Sequence, residues 1–550
     1  MAEHNSLISL NNYGGGVALL ANVVLWRQSG YFDGAAELKP LLHVWSLSLE
    51  EQYYLLIPAL LFFLPRRFWL AAAVAASLAS LALCFWLMTI NPKATFFLLP
   101  TRAWELGIGS VAALVTLSDG AVNTIRRGFW LFLGILVAFC LWQFDSPHPG
   151  WQALGVCLAT AGIILGRHGF ATSPRNVGLL AWVGGISYSL YLVHWPLFAF
   201  LHNTWVGPED PPLSWRLLLV ALSFALAWLL HRFVEERFRH STAPAGKTVL
   251  RLAFASVSLA VLATLLPQMI DSPRDLAYEL RVNPGFDKKC EYRNEHFNPP
   301  AECTNSDEPS VLVWGDSFAM HLVPGLAADG ATLVQATRSS CVPIRDMTVF
   351  DVHRGRDQAW SKRCMALNDS VLKHIAASPS IRYVVLSSPF GSLVGPSDKQ
   401  ILVQRDDALA PEQRSVNTVL SGLLATAEEL RRAGKKVIVV TPPPATGADF
   451  GRCFDRREQG QWVLGVSDQC DFPQAAADEN QSNVLELMHR LEENGVPVID
   501  LRPALCHDGV CQSIIDGVPI YRDDGHLSVS GSELLAKRMG WLERVKAEAR

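Results

Sequence analysis

Eight long apolar runs, at 42–64, 68–88, 96–117, 128–144, 151–165, 177–201, 213–230 and 249–270, precede Asp271, and none follows it. Each is near the ~20 residues that a membrane helix needs, 128–144 and 151–165 being short. Inside a bilayer the backbone must satisfy its own hydrogen bonds, so such runs become helices. Half of the residues are hydrophobic, and the excess over a soluble protein lies in this part of the chain. The sequence therefore predicts a segment outside the membrane at 1–41, a polytopic α-helical membrane domain at 42–248 and a last transmembrane helix at 249–270. A linker at 271–309 and a soluble domain at 310–550 complete it.

Orientation follows from the connecting loops. Arg66 with Arg67, Arg126 with Arg127, Arg167 with Arg175, and the base-rich 231–251 segment occupy alternate loops, whereas 145–150 and 202–212 carry no Lys or Arg. Basic loops stay in the cytoplasm, so the chain after Ile270 is expected outside it. The net charge of −4 and the lack of a basic cluster interleaved with aromatics exclude nucleic acid as a partner.

The cysteines divide in the same way. Cys84, Cys140 and Cys157 lie inside apolar runs, and the other eight fall after Asp271. An even number at short spacings points to disulfides and an oxidising compartment. Sequential pairing is expected: Cys290 with Cys303, Cys341 with Cys364, Cys453 with Cys470, and Cys506 with Cys511. No Cys-x-x-Cys pair is present, so no metal site is expected.

In the soluble half, strand-like runs at 311–314, 332–334, 383–386, 436–441 and 497–499 alternate with helical patterns such as 416–433 and 484–494. That alternation predicts an α/β domain, a parallel sheet covered by helices. Val311-Leu-Val-Trp-Gly-Asp-Ser317 places Ser317 on the turn at the carboxyl end of a strand, where open α/β sheets bind ligands. A serine there needs a base. Asp523 and His526, three apart in a glycine-containing loop, supply one, with the carboxylate fixing the imidazole tautomer that accepts the serine proton.

Gly315-Asp-Ser317 and Asp523-x-x-His526 resemble the first and last blocks of the SGNH (GDSL-like) hydrolase family. The resemblance implies a three-layer fold, with Ser317 as nucleophile, His526 as general base and Asp523 as its orienter. The family's Gly-x-Asn-Asp block, whose Asn helps to form the oxyanion hole, has no counterpart at Tyr383–Phe390. That leaves the Ser317 N–H as the one oxyanion donor assigned.

Ionisable residues inside membrane spans are costly and mark function. His43, Glu50, Glu51, Arg102, Glu105, Tyr188 and His194 are such candidates, and their similar depth on three spans predicts a polar cavity. The strings His43–Tyr54, Arg102–Gly109 and Ile186–Pro196 resemble the integral-membrane acyltransferase-3 family. Members with a fused periplasmic SGNH domain O-acetylate bacterial surface polysaccharides such as lipopolysaccharide O-antigen. They usually have eleven spans, and a basic residue and a His in the first; by that measure the sequence lacks three amino-terminal helices.

The resemblance implies a multi-pass protein of the bacterial inner membrane with its carboxyl-terminal domain in the periplasm. It implies an acyltransferase that binds no resident cofactor, uses acetyl-CoA as donor, and has a polysaccharide or lipid-linked glycan as acceptor, with membrane lipids around it. Two rivals remain at this point: a membrane-anchored carbohydrate acetyl esterase using the same three residues, and a non-catalytic envelope transporter or scaffold.

Overall fold

The computed structural model describes residues 20–28, 36–142, 148–239, 275–352, 355–395, 400–405, 408–467 and 469–548, with isolated positions between 250 and 262. The chain divides into two compact units, one of residues 3–203 and 211–271, the other of 1–2, 204–210 and 272–550.

The first unit is helical. Its helices include Val44–Phe63, Trp69–Met88, Leu99–Leu114, Phe129–Leu141, Trp151–Gly166, Ser187–Thr204 and Leu213–Leu230. Large apolar side chains point outward, with Phe62 and Leu141 about four-fifths exposed, while Ser80, Thr101, Ser189 and Ser223 are buried. This is the reverse of a water-soluble bundle and the pattern expected where lipid is the solvent and small or polar residues make the helix contacts. Ser80 is an example: its hydroxyl donates to the Pro100 carbonyl at 2.7 Å and accepts the Trp104 N–H at 3.1 Å.

Among the described residues two helices, Arg66–Met88 and Leu213–Arg239, are long and apolar enough to cross a membrane, or up to four if each bent pair is one span. Several expected spans are thus broken. The run 96–117 divides at Leu98 into Pro92–Phe97 and Leu99–Leu114, because Pro92 and Pro100 sit in first turns, where proline starts a helix rather than continues one. The run 177–201 bends by 69° between Val177–Gly185 and Ser187–Thr204, where Gly184 and Gly185 weaken the helix. The run 128–144 is Phe129–Leu141, set at 47° to the preceding Asp119–Arg127. The expected helix 249–270 lies almost wholly outside the described residues.

The second unit is built on a parallel sheet of five strands, β1 (Val311–Gly315), β2 (Leu333–Thr337), β3 (Tyr383–Ser387), β4 (Lys436–Val440) and β5 (Val498–Ile499), in the order β2-β1-β3-β4-β5. Strands covered on both faces are largely apolar, which is why β1, β3 and β4 read as apolar runs; β2 instead buries Gln335, whose amide donates to the Pro284 carbonyl at 2.7 Å. Leu312, Trp314, Val384, Leu386, Val437 and Val439 face one core with helices Gln358–Ala377, Val416–Arg432 and Ser482–Glu493. Val311, Val313, Val385, Ile438 and Val440 face the other with Val323–Ala328, Val529–Met539 and Trp541–Glu548. The result is three layers.

Four disulfides join Cys290 to Cys303, Cys341 to Cys364, Cys453 to Cys470 and Cys506 to Cys511. The segment expected as a linker contributes to this unit: Leu276, Leu280 and Tyr292 are buried, and Glu291 and Thr304 bridge to Thr337 and Val334 of β2. An antiparallel hairpin of Gln400–Arg405 and Ala408–Gln413 was not expected: its strands are half-polar, and one carries Pro411, which marks an edge rather than a central strand.

Candidate active site

The carboxyl ends of β1 and β3 set the site. Gly315, at φ +155°, lets them meet: a Cβ there would run into the Ser387 carbonyl and lie 2.9 Å from Cβ of Ala319. Asp316 then caps the short helix Ser317–Met320, accepting the Phe318 N–H at 2.9 Å and the Ser388 hydroxyl at 2.7 Å. Burial pushes the Asp316 carboxyl up to about 6, against the pull of those two hydrogen bonds. Ser388, the hydroxyl at the position of the missing asparagine block, is therefore engaged with Asp316.

Ser317 Oγ lies 2.7 Å from His526 Nε2, and His526 Nδ1 lies 3.0 Å from both carboxylate oxygens of Asp523. Asp523 Oδ1 also accepts the N–H groups of Gly525 and His526, at 3.1 and 2.8 Å, and Oδ2 accepts Arg522 Nε and Nη2 at 3.0 and 2.6 Å. Burial alone would raise this carboxyl, but the charge and hydrogen bonds of His526, with Arg522, hold it well below the usual carboxylate range. An ionised Asp523 takes the proton on Nδ1 as its hydrogen-bond donor and leaves Nε2 to accept one from the serine.

Asp523, Asp524 and His526 offer ligand atoms within 4.8 Å of one another. Both ring nitrogens of His526 are engaged, with Ser317 and Asp523, so the arrangement suits proton transfer better than metal binding.

Two supports escaped the sequence reading. His321, 1% exposed, accepts the Leu527 N–H at Nδ1, 3.2 Å away, and Asn283 Nδ2 reaches the carbonyls of His321 and Leu527 at 3.5 Å. Burial holds the His321 pKa well below the ordinary value, so the ring is neutral. The Phe318 ring lies 5.1 Å from His321 and 4.6 Å from His526. The only sequence signal was a histidine four positions after Ser317.

The Asp523 loop is also fixed from behind. A Cβ on Gly451 would overlap the Arg522 carbonyl and lie 3.0 Å from the Asp523 N–H nitrogen. Gly451→Ala is therefore expected to destabilise the protein by roughly 1–3 kcal/mol and to displace Asp523. Thermal unfolding and ester hydrolysis should both report it, and an unchanged pair would refute the contact.

The helical unit gathers some of its candidates and not others. His43 lies 5.1 Å from Tyr191 and 5.9 Å from His194, ring to ring, and Tyr191 Oη donates to the His43 carbonyl. Arg102 pairs with Glu105 at 3.2 Å, approaches His148 Nε2 at 3.2 Å and stands over the rings of Trp45 and Phe96, 5.3 and 5.5 Å from their centroids. Both His43 ring nitrogens, Arg102 Nε and Glu105 Oε1 are buried without a partner among the described residues. Unsatisfied polar atoms of this kind are costly.

Glu51 and Tyr188 are exposed and Glu50 is half-buried. The sequence reading also missed Glu235, which accepts the Ser189 hydroxyl at 2.9 Å and lies 3.0 Å from His231 Nδ1.

Residues 289–540 match the family described as an SGNH domain fused to AT3 domains, and residues 6–232 match the acyltransferase domain family. YrhL of Bacillus subtilis (strain 168), provisionally named a peptidoglycan O-acetyltransferase, is 28% identical over 242 residues, 39% of this chain and 37% of its own. The O-acetyltransferase OatA of Staphylococcus aureus (strain NCTC 8325 / PS 47) is 28% identical over 228 residues, 38% of each. The matches thus span less than two fifths of these relatives. The periplasmic domain of a Salmonella ser. Paratyphi A lipopolysaccharide acetyltransferase overlays with a TM-score of 0.33 and 16% identity, covering 50% of this chain and 98% of that one. By the two family matches, the chain carries an acyltransferase domain followed by an SGNH domain of the kind fused to AT3 domains.

Proposed function

We propose that the chain is an O-acetyltransferase of the cell envelope. The helical domain takes acetyl from cytoplasmic acetyl-CoA and passes it outward. Ser317 accepts it as an ester while His526 removes the hydroxyl proton, and a hydroxyl of a surface polysaccharide, of the lipopolysaccharide O-antigen kind, then attacks the ester and restores Ser317. Splitting the transfer through a serine ester replaces one difficult step by two easier ones. The observation that carries this reading is the Ser317–His526–Asp523 relay, at 2.7 and 3.0 Å, in a chain that also has an acyltransferase domain.

In the helical domain, His43 and the Arg102–Glu105 pair are the proposed acyl-handling groups, because each keeps a buried polar atom without a partner among the described residues. His194, beside His43, and Glu50, Glu51 and Tyr188 are proposed to serve the same route.

The test is Arg102→Ala, introduced into the gene in its own cell. Acetyl content of the surface polysaccharide should collapse, while the purified protein still hydrolyses 4-nitrophenyl acetate at the parental rate. An anchored esterase would leave polysaccharide acetylation almost unchanged by this substitution, and that result would overturn the reading.

A further inference from the structure

The loop after β2 lies beside the nucleophile and carries charge that the relay does not use. Its Arg338 N–H donates to the Gly315 carbonyl at 3.1 Å, two residues before Ser317. The Cys341–Cys364 disulfide ties this loop to helix Gln358–Ala377, whose first turns bring Trp360 and Arg363. The Arg338 guanidinium stands 5.4 Å from the centroid of the Trp360 ring, and Arg356 Nη2 donates to Ser340 Oγ at 2.7 Å. Ser340 itself is in the left-handed region, at φ +64°, a conformation that a serine seldom adopts and that tends to be kept at functional sites.

Three guanidinium groups, of Arg338, Arg356 and Arg363, thus collect at the carboxyl edge of the sheet. Among the described residues none of them forms an ion pair with a carboxylate. Arg338 is 7% exposed, and its Nη1 is buried with no hydrogen-bond partner among the described residues. Burial, then the like charge of Arg363, pushes its pKa down, and Glu291 and Glu295 oppose this only from a distance. The charge of Arg356 reaches Asp316, the residue next to the nucleophile. A buried donor left over in a group of cations calls for an acceptor, and the planar guanidinium fork matches a carboxylate or phosphate.

We propose that Arg356, Arg338 and Arg363 form a subsite beside Ser317 for the anionic group of an acidic sugar in the acceptor, a uronate carboxylate or a sugar phosphate. The inference rests on the acetyl-transfer reading for its acceptor and adds the class of sugar. A hydroxyl of that sugar is then held near the Ser317 ester by a charge-assisted contact that a neutral sugar cannot make, so neutral glycans are passed over.

The experiment uses the full-length chain in detergent micelles, carrying Ser317→Ala so that nothing turns over. Glucuronic acid, glucose 1-phosphate and glucose are titrated by saturation-transfer NMR. At least one acidic sugar should bind about tenfold more tightly than glucose, and Arg356→Gln and Arg363→Gln should each weaken it by about tenfold, the loss expected for one charge-assisted hydrogen bond. Arg356→Lys should recover part of the loss. The two acidic probes separate carboxylate from phosphate.

Equal binding of all three sugars, or acidic-sugar binding unchanged in both glutamine variants, overturns the subsite. Arg363 is half-exposed, so its variant keeps the test available if Arg356→Gln does not fold. Ester turnover by the chain with Ser317 intact is followed in parallel. Lost turnover with acidic-sugar binding retained would sink the transfer reading alone, and turnover without sugar preference would sink the subsite alone.

Discussion

Cells in which Ser317 is replaced by alanine are expected to make surface polysaccharide with no acetyl groups. The hydroxyl that would carry the ester is gone, and His526 Nε2, 2.7 Å from it in the native protein, has no proton to take. Losing the nucleophile of such a relay lowers kcat by roughly a million-fold, leaving only what binding and the oxyanion donors supply. Hydrolysis of 4-nitrophenyl acetate by the purified chain should fall with it. The sign of the cellular effect matters more than its size. If the protein removed acetyl groups, the same substitution would raise polysaccharide acetylation, and a rise would end the transferase proposal.

Asp523→Asn should be nearly as damaging although it changes little in shape. An amide at this position can present its NH2 to His526 Nδ1, so the ring takes its proton on Nε2 and can no longer accept one from Ser317. The loss expected from this change of tautomer is about 10⁴-fold in kcat. It also leaves Arg522, 2.6 Å from Oδ2, without its carboxylate. Because Asp523 is held below the ordinary carboxylate range, its contribution to stability is complete above the unfolded carboxylate pKa. That contribution is lost as pH falls through the lowered folded value. The native protein should therefore keep an ionised Asp523 throughout the neutral range, and the Asn variant should lose stability relative to it most clearly there. Chemical denaturation at neutral and at acid pH measures that gap, and a gap that widens toward acid pH would contradict the assigned charge state.

The soluble unit could be read so far from its sequence because its information is local. A strand buried on both faces is largely apolar, so β1, β3 and β4 announced themselves, and the Asp523–His526 spacing of three fits one loop. What stayed hidden depends on residues far apart in the chain. His148 approaches Arg102 across 46 positions, Asn283 reaches Leu527 across 244, and neither is marked by its neighbours. In the helical unit the runs were visible, but the breaks at Leu98 and Ile186 were not. Apolar composition fixes that a segment prefers lipid, while proline and glycine fix where it turns, and an apolar run by itself carries only the first kind of information.

The separation of the relay along the chain bears on timing. Asp523 and His526 are joined by bonds within one loop, whereas Ser317 precedes His526 by 209 positions, and the helix that follows the loop, Val529–Met539, packs in the same core as Val323–Ala328. A polypeptide delivered amino end first therefore exposes its serine long before its base arrives. Until the final segment docks, the hydroxyl is an ordinary alcohol, inert toward esters. On the proposed reading, order of emergence works as a safety catch: without His526 the half-finished domain cannot activate its serine, and competence coincides with completion of the fold.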